Sequence, residues 1–129
     1  MGDRYRQHDI LTATPVVLVA KLFEAAIGNG QRALELAGPE HLAERCRALG
    51  RAAAIVSELR ASLDVERGGE IGANLDRLYG FVLERLVDAN VEQCVEPVEE
   101  ALRVLMPLAE AWDEVRRGAV TAPLPGSST

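Results

Sequence analysis

Apolar residues recur at three- and four-residue intervals along most of the chain, in four stretches separated by glycine, proline or short polar breaks. That is the period of helices with one face turned inward. Thr14-Pro15 supplies a capping residue followed by the residue best suited to a first helical position, so a first helix is predicted from Pro15 to Ala37, stopping at Gly38. It carries Val16, Val19, Ala20, Phe23, Ala26, Ile27 and Leu34 on one stripe, and Leu18, Leu22, Ala25, Ala33 and Leu36 on a second. Gly28 and Gly30 weaken its middle.

A second helix opens at Pro39, repeats Leu42, Cys46, Leu49, Ala53 and Val56 at helical spacing and extends to Val65. A structural joint at Gly68 and Gly69 then separates it from a third helix, Glu70 to Asn90, with Gly68 expected in the left-handed conformation and Glu70 at the positive helix end. Ile71, Leu75, Leu78, Val82 and Leu86 form the inner stripe of that helix, and Tyr79, Leu83 and Val87 form an outer one. The fourth begins near Gln93, places Pro97 in its first turn and runs through Val98, Leu102, Leu105, Trp112 and Val115. Pro107 within it predicts a kink or a split, because proline removes one intrahelical bond and crowds the preceding turn. Residues 1–13 read as a mobile lead-in and residues 118–129 as a disordered tail, around a single helical domain over 1–117. The predicted fold class is all-α, an antiparallel up-and-down four-helix bundle.

Composition narrows the function by exclusion. A net charge of −6 argues against a nucleic-acid surface, which needs concentrated basic charge. No apolar signal core opens the chain and no apolar run is long enough to span a bilayer, so a cytoplasmic protein without membrane insertion is expected. Cys46 and Cys94 lack paired spacing and read as small buried hydrophobes in a reducing setting. Neither His8 nor His41 has a glutamate three residues before it, which excludes the usual di-metal bundle site, and His41 and Cys46 stand on separate helix faces. The Gly68-Gly-Glu-Ile-Gly72 run lacks the Lys-Ser/Thr of a phosphate loop. No metal, cofactor or catalytic group is therefore expected.

The positive signal is surplus apolar surface. Helix one carries two stripes where a bundle helix ordinarily buries one. A wide core or a homodimer would absorb the second, and so would an amphipathic helix from another protein. Tyr5, Ile10 and Leu11 form a mildly apolar segment that either covers such a groove until a partner arrives or simply frays.

Particular residues also resemble a known family, the flagellar secretion chaperone FliS. They are Tyr5, the Leu11-Thr-Ala-Thr-Pro15 entry, Phe23-Glu-Ala-Ala-Ile27, and above all Ser62-Leu-Asp-x-Glu-x-Gly-Gly-Glu-Ile-Gly-x-Asn-Leu-x-x-Leu-Tyr79, followed by Glu84-Arg-Leu-x-x-Ala-Asn90 and Glu110-Ala-Trp112. The resemblance implies a monomeric or weakly self-associating bundle around which the C-terminal segment of flagellin wraps, preventing premature polymerisation before delivery to the flagellar export gate. It also implies that the segment holding Tyr5 covers part of the binding surface. Val91-Glu-Gln-Cys94, Gly28, Gly30 and Pro107 depart from the family pattern. The partner-binding residues expected are Tyr5, Ile10, Leu11, Leu18, Leu22, Ile55, Leu59, Leu63, Asn74, Leu75, Tyr79 and Val82, with Asn74 as a polar clamp on client backbone. The rival reading is a structural or regulatory bundle acting through self-association or another client.

Overall fold

The computed structural model describes Thr12 and residues 14–118. The expected N-terminal cover (Tyr5, Ile10 and Leu11) and the tail beyond Gly118 lie outside the described residues. Four helices follow one another: α1 Val16–Glu35, α2 Leu42–Ala61 preceded by a 3₁₀ turn at Pro39–His41, α3 Val65–Glu92 and α4 Glu96–Arg116. They form a square in which α1 and α3 each pack against α2 and α4. Cross-helix pairs fix the antiparallel sense. Arg32 meets Glu44 and Asn29 meets Arg51, while Thr14, Leu18 and Leu22 lie against Glu58, Ala61 and Ser62 at the other end.

The helix ends differ from the expectations of the sequence for identifiable reasons. Pro15 is the N-terminal boundary residue of α1, outside the helix, and its carbonyl accepts from the backbone N–H groups of Leu18 and Val19. α1 stops at Glu35, two residues early, because Leu36 turns into the core. Gly38 is extended, with φ −74° and ψ 157°, and is not a left-handed cap. The cap is supplied by Arg45, buried at 7% exposure, whose Nη1 donates to Leu36 O at 2.6 Å and Gly38 O at 3.0 Å. A guanidinium can gather two carbonyls at once, so the end of α1 is tied to α2 without glycine.

The joint between α2 and α3 is also relocated. α2 ends at Ala61, and the turn falls at Ser62–Asp64, where the Asp64 carboxylate accepts from Arg67 N–H at 3.0 Å and starts α3. The glycine pair interrupts α3 after its first turn. Gly69, not Gly68, takes the positive φ, with φ 61° and ψ −138°, a region closed to side chains with a Cβ. At the far end of α3 the left-handed residue is Gln93, φ 54°, with Cys94 N–H reaching back to Ala89 O, and α4 begins at Glu96 with Pro97 in its first turn. α4 is not split at Pro107. Both that residue and Arg103, whose carbonyl loses its intrahelical donor, lie on the exposed side.

The core comprises Val19, Phe23, Val56, Leu59, Leu75, Val82, Leu105, Leu108 and Trp112, with alanines filling the narrow places. Gly30 belongs to this packing, since a Cβ there would stand 3.0 Å from Leu102 Cδ2. Tyr79 is 1% exposed and packs its ring against Phe23 at 6.1 Å between centroids. It takes the inner position expected of Leu78, which is half-buried. Burial pushes the Tyr79 phenol far above its ordinary pKa, and the Trp112 side chain offsets only part of this. Trp112 Nε1 is buried without a partner in good hydrogen-bond geometry, so that relation is one of proximity and not a formed bond. Cys46 and Cys94, expected to be buried, are half-buried free thiols.

Two measurements check this account. Arg45→Met keeps the aliphatic stem but strands the Leu36 carbonyl, and should lower the unfolding free energy in urea by about 1–3 kcal/mol. Gly69→Val places a β-branched residue at positive φ and should cost about 1–3 kcal/mol in the same assay.

Candidate partner-binding grooves

The second apolar stripe of α1 remains at the surface. Leu18 is 48% exposed and Leu22 half-buried, and together with Thr14, Lys21, Glu58, Ala61 and Ser62 they line an open groove of about 580 Å³ between α1 and the last turn of α2. Ile55, half-buried, stands one turn before Glu58 on the same side of α2. The floor is therefore aliphatic, with a cation and an anion beside it at Lys21 and Glu58. Such a surface suits the apolar face of an amphipathic helix better than a small polar molecule.

A second, shallower groove of about 370 Å³ runs between α2 and α3, lined by Arg60, Gly80, Leu83, Glu84, Val87 and Asp88. Val87 is 54% exposed, so the outer stripe read from the sequence holds for Leu83 and Val87 and fails for Tyr79. Arg60 is held in the wall of this groove: its Nε donates to Asp76 Oδ1 at 2.9 Å and its Nη2 to Oδ2 at 3.4 Å. The missing side chain of Gly80 makes room, for a Cβ would stand 3.1–3.2 Å from the guanidinium atoms. Hydrogen bonding from Arg60 holds the Asp76 carboxyl below its ordinary pKa, with part of the gain cancelled by burial. Elsewhere on the surface Phe81 lies under the Arg85 guanidinium at 6.0 Å, and Arg85 also pairs with Asp88 and Glu100.

The expected binding residues thus separate by depth. Leu18, Leu22, Ile55 and Leu63 keep surface, and Asn74 is half-buried and accepts from Arg77. Leu59, Leu75, Tyr79 and Val82 are at most 2% exposed and offer a partner nothing to touch. They support the grooves from beneath. Sequence spacing had no way to anticipate Thr14, Lys21, Glu58 and Arg60 as rim residues, because polar positions on an amphipathic helix carry no mark of which neighbour they will face. Among the described residues no cluster of histidine, cysteine and carboxylate could hold a metal ion, and no helix is long and apolar enough to cross a membrane.

Comparison with known proteins meets this geometry. The family model described as flagellar protein FliS matches residues 1–119. The chain belongs to the FliS family. It is 34% identical over 107 residues to the flagellar secretion chaperone FliS of Salmonella typhimurium, covering 82% of this chain and 79% of that one. It is 33% identical over 103 residues to the flagellar secretion chaperone FliSB of Pseudomonas aeruginosa, 80% and 82% of the two chains, and 31% identical over 120 residues to FliS of Campylobacter jejuni, 93% and 94%. FliS is a family of chaperones and not of enzymes, in keeping with grooves whose floors are aliphatic.

The Arg60–Asp76 pair generates a pH prediction. Because the folded-state pKa of Asp76 is lowered, the pair stabilises the bundle above the ordinary carboxylate range and loses that contribution as pH falls through the lowered value. Asp76→Asn should cost about 0.2–1 kcal/mol at pH 7, discounted for its exposure to solvent, and the difference from the parent protein should shrink progressively as pH falls below the ordinary carboxylate range. Urea titrations of both proteins across that range read the effect.

Proposed function

We propose that this FliS protein is a cytoplasmic chaperone of flagellar secretion that holds the C-terminal segment of flagellin, with the α1–α2 groove as a principal seat. The carrying observation is the apolar surface left by Leu18, 48% exposed, and half-buried Leu22 at the edge of the core. The segment docks as an amphipathic helix, its apolar side chains over Leu18, Leu22 and Ile55, its polar flanks beside Lys21 and Glu58. Removing such surface from water is worth about 25 cal/mol per Å², against which the client must order its backbone. Leu83 and Val87 extend the apolar surface to the other side of α2. A held segment is unable to pair with its own kind, which prevents premature polymerisation and supports delivery to the export apparatus. Leu59, Leu75, Tyr79 and Val82 take no direct part.

The test mixes the protein with a flagellin C-terminal peptide and follows far-UV circular dichroism and calorimetry. Binding with helix gained beyond the sum of the parts is expected. Leu18→Asp and Leu22→Asp should each weaken binding at least tenfold while the spectrum of the free bundle is unchanged, since each places a charge on the groove floor. Absence of binding by the parent protein would sink the flagellin reading.

A further inference from the structure

At the Thr14–Ser62 end of the α1–α2 groove stand hydroxyl groups whose donors can be assigned. The single proton of Ser62 Oγ goes to Leu59 O, 2.8 Å away. The contact of 3.0 Å between Thr12 Oγ1 and Ser62 Oγ therefore has Thr12 as its donor. Thr12 Oγ1 in turn accepts from the Thr14 backbone N–H at 3.2 Å. A one-way relay results, Thr14 N–H to Thr12 to Ser62 to Leu59 O, joining the start of α1 to the end of α2. Its Thr12 end is buried, at 4% exposure, and Thr12 also forms an antiparallel bridge with Leu63.

What the relay holds is a short piece of chain whose inward anchor is Leu63, half-buried against the core. Residues 62–68 contain the turn and the first turn of α3, closed internally by Gly68 N–H to Asp64 O and by the Asp64 cap on Arg67. Beyond them Gly69 breaks the helix, and among the described residues no heavy atom comes within 4 Å of where its Cβ would be. The underside of the piece rests on bare backbone: a Cβ at Gly72 would stand 3.3 Å from Asp64 O, Val65 Cα and Val65 O. Its outer side is open, with Val65 41% exposed.

We propose that residues 62–68 are a hinged flap that turns about Gly69, is latched by Thr12, and closes the Thr14–Ser62 end of the α1–α2 groove. Ser62 belongs to both the latch and the groove wall. A helix sliding along Leu22 and Leu18 meets the latch, and release of Thr12 lengthens the seat by the width of the flap. Latch strength then sets how often the longer seat is offered, an equilibrium between two states that a ligand biases by differential affinity. This regulation rests on the groove being the client seat; the flap itself does not.

The experiment separates the two. ¹⁵N relaxation dispersion on the free, full-length protein reads microsecond-to-millisecond motion, and stopped-flow mixing with the flagellin C-terminal peptide reads association. Thr12→Val removes the relay and should at least double the exchange contribution at residues 62–70 while α4 core amides stay unchanged. Gly72→Ala, which wedges the flap without touching the latch, should do the same. Thr12→Ser should behave as the parent. Both loosened variants should raise the association rate constant at least twofold. Unchanged dispersion at 62–70, or an equal rise throughout the core, overturns the flap. Faster flap motion with an unchanged association rate overturns its link to the groove. A parent protein that binds no peptide defeats the client assignment, and dispersion alone then decides the flap.

Discussion

The close approach of α1 to α2 is the constraint on which the rest of this bundle depends. Arg32 with Glu44 and Asn29 with Arg51 set the register of this seam, and Ala26 and Ala33 of α1 and Ala48 and Ala52 of α2 are all fully buried. Where only methyl groups separate two helices, their axes draw together and the inner stripe is consumed by short side chains. The larger residues at the edges of that seam then have nowhere to go but outward. Leu18 and Leu22 are left over by geometry: a square of four helices gives each helix two neighbours, and both neighbours of α1 are already packed. The groove is a consequence of the alanines as much as of the leucines.

Much of this architecture was legible in the sequence. Four helical periods gave four helices, and the doubled stripe of α1 marked the face that keeps apolar surface. What was not legible concerns choices between nearly equivalent positions. Leu78 and Tyr79 are adjacent and both apolar enough for the core; α3 settles its rotation by seating the larger ring against Phe23, which moves Tyr79 from the expected outer stripe to the inside. Gly38 and Gly68 satisfy every local rule for ending a helix, yet Arg45 caps the first and the chain turns before reaching the second. The sequence shows a residue able to cap; it hides a residue of a later helix that arrives to do the work. The resemblance to FliS was carried largely by the Ser62–Tyr79 run, whose glycines and Asp64 build the bent start of α3, so the family signal and the structural irregularity coincide.

Three arginines show how one residue type serves different levels of the structure. Arg45 is buried and satisfies backbone carbonyls, a role in which its charge is incidental and its fork of donors matters. Arg60 spans α2 and α3 at half exposure, and its pair with Asp76 is worth little energy but fixes a side chain that lines a groove. Arg85 ties α3 to α4 through Glu100 and covers the ring of Phe81, reducing exposed apolar surface there. Burial thus grades these side chains from fold to boundary to surface.

An exposed apolar groove is also an aggregation hazard, and the chain contains features that contain it. Net charge of −6 keeps copies apart. Lys21 and Glu58 interrupt the floor with opposite signs, so two identical grooves meeting face to face must bring each charge near one that repels it in one of the two alignments. A client that presents a single apolar face with polar flanks meets none of these penalties. In the proposed docking, the features that limit self-association are therefore the same ones that favour an amphipathic segment, and specificity would follow from what borders the leucines more than from the leucines themselves.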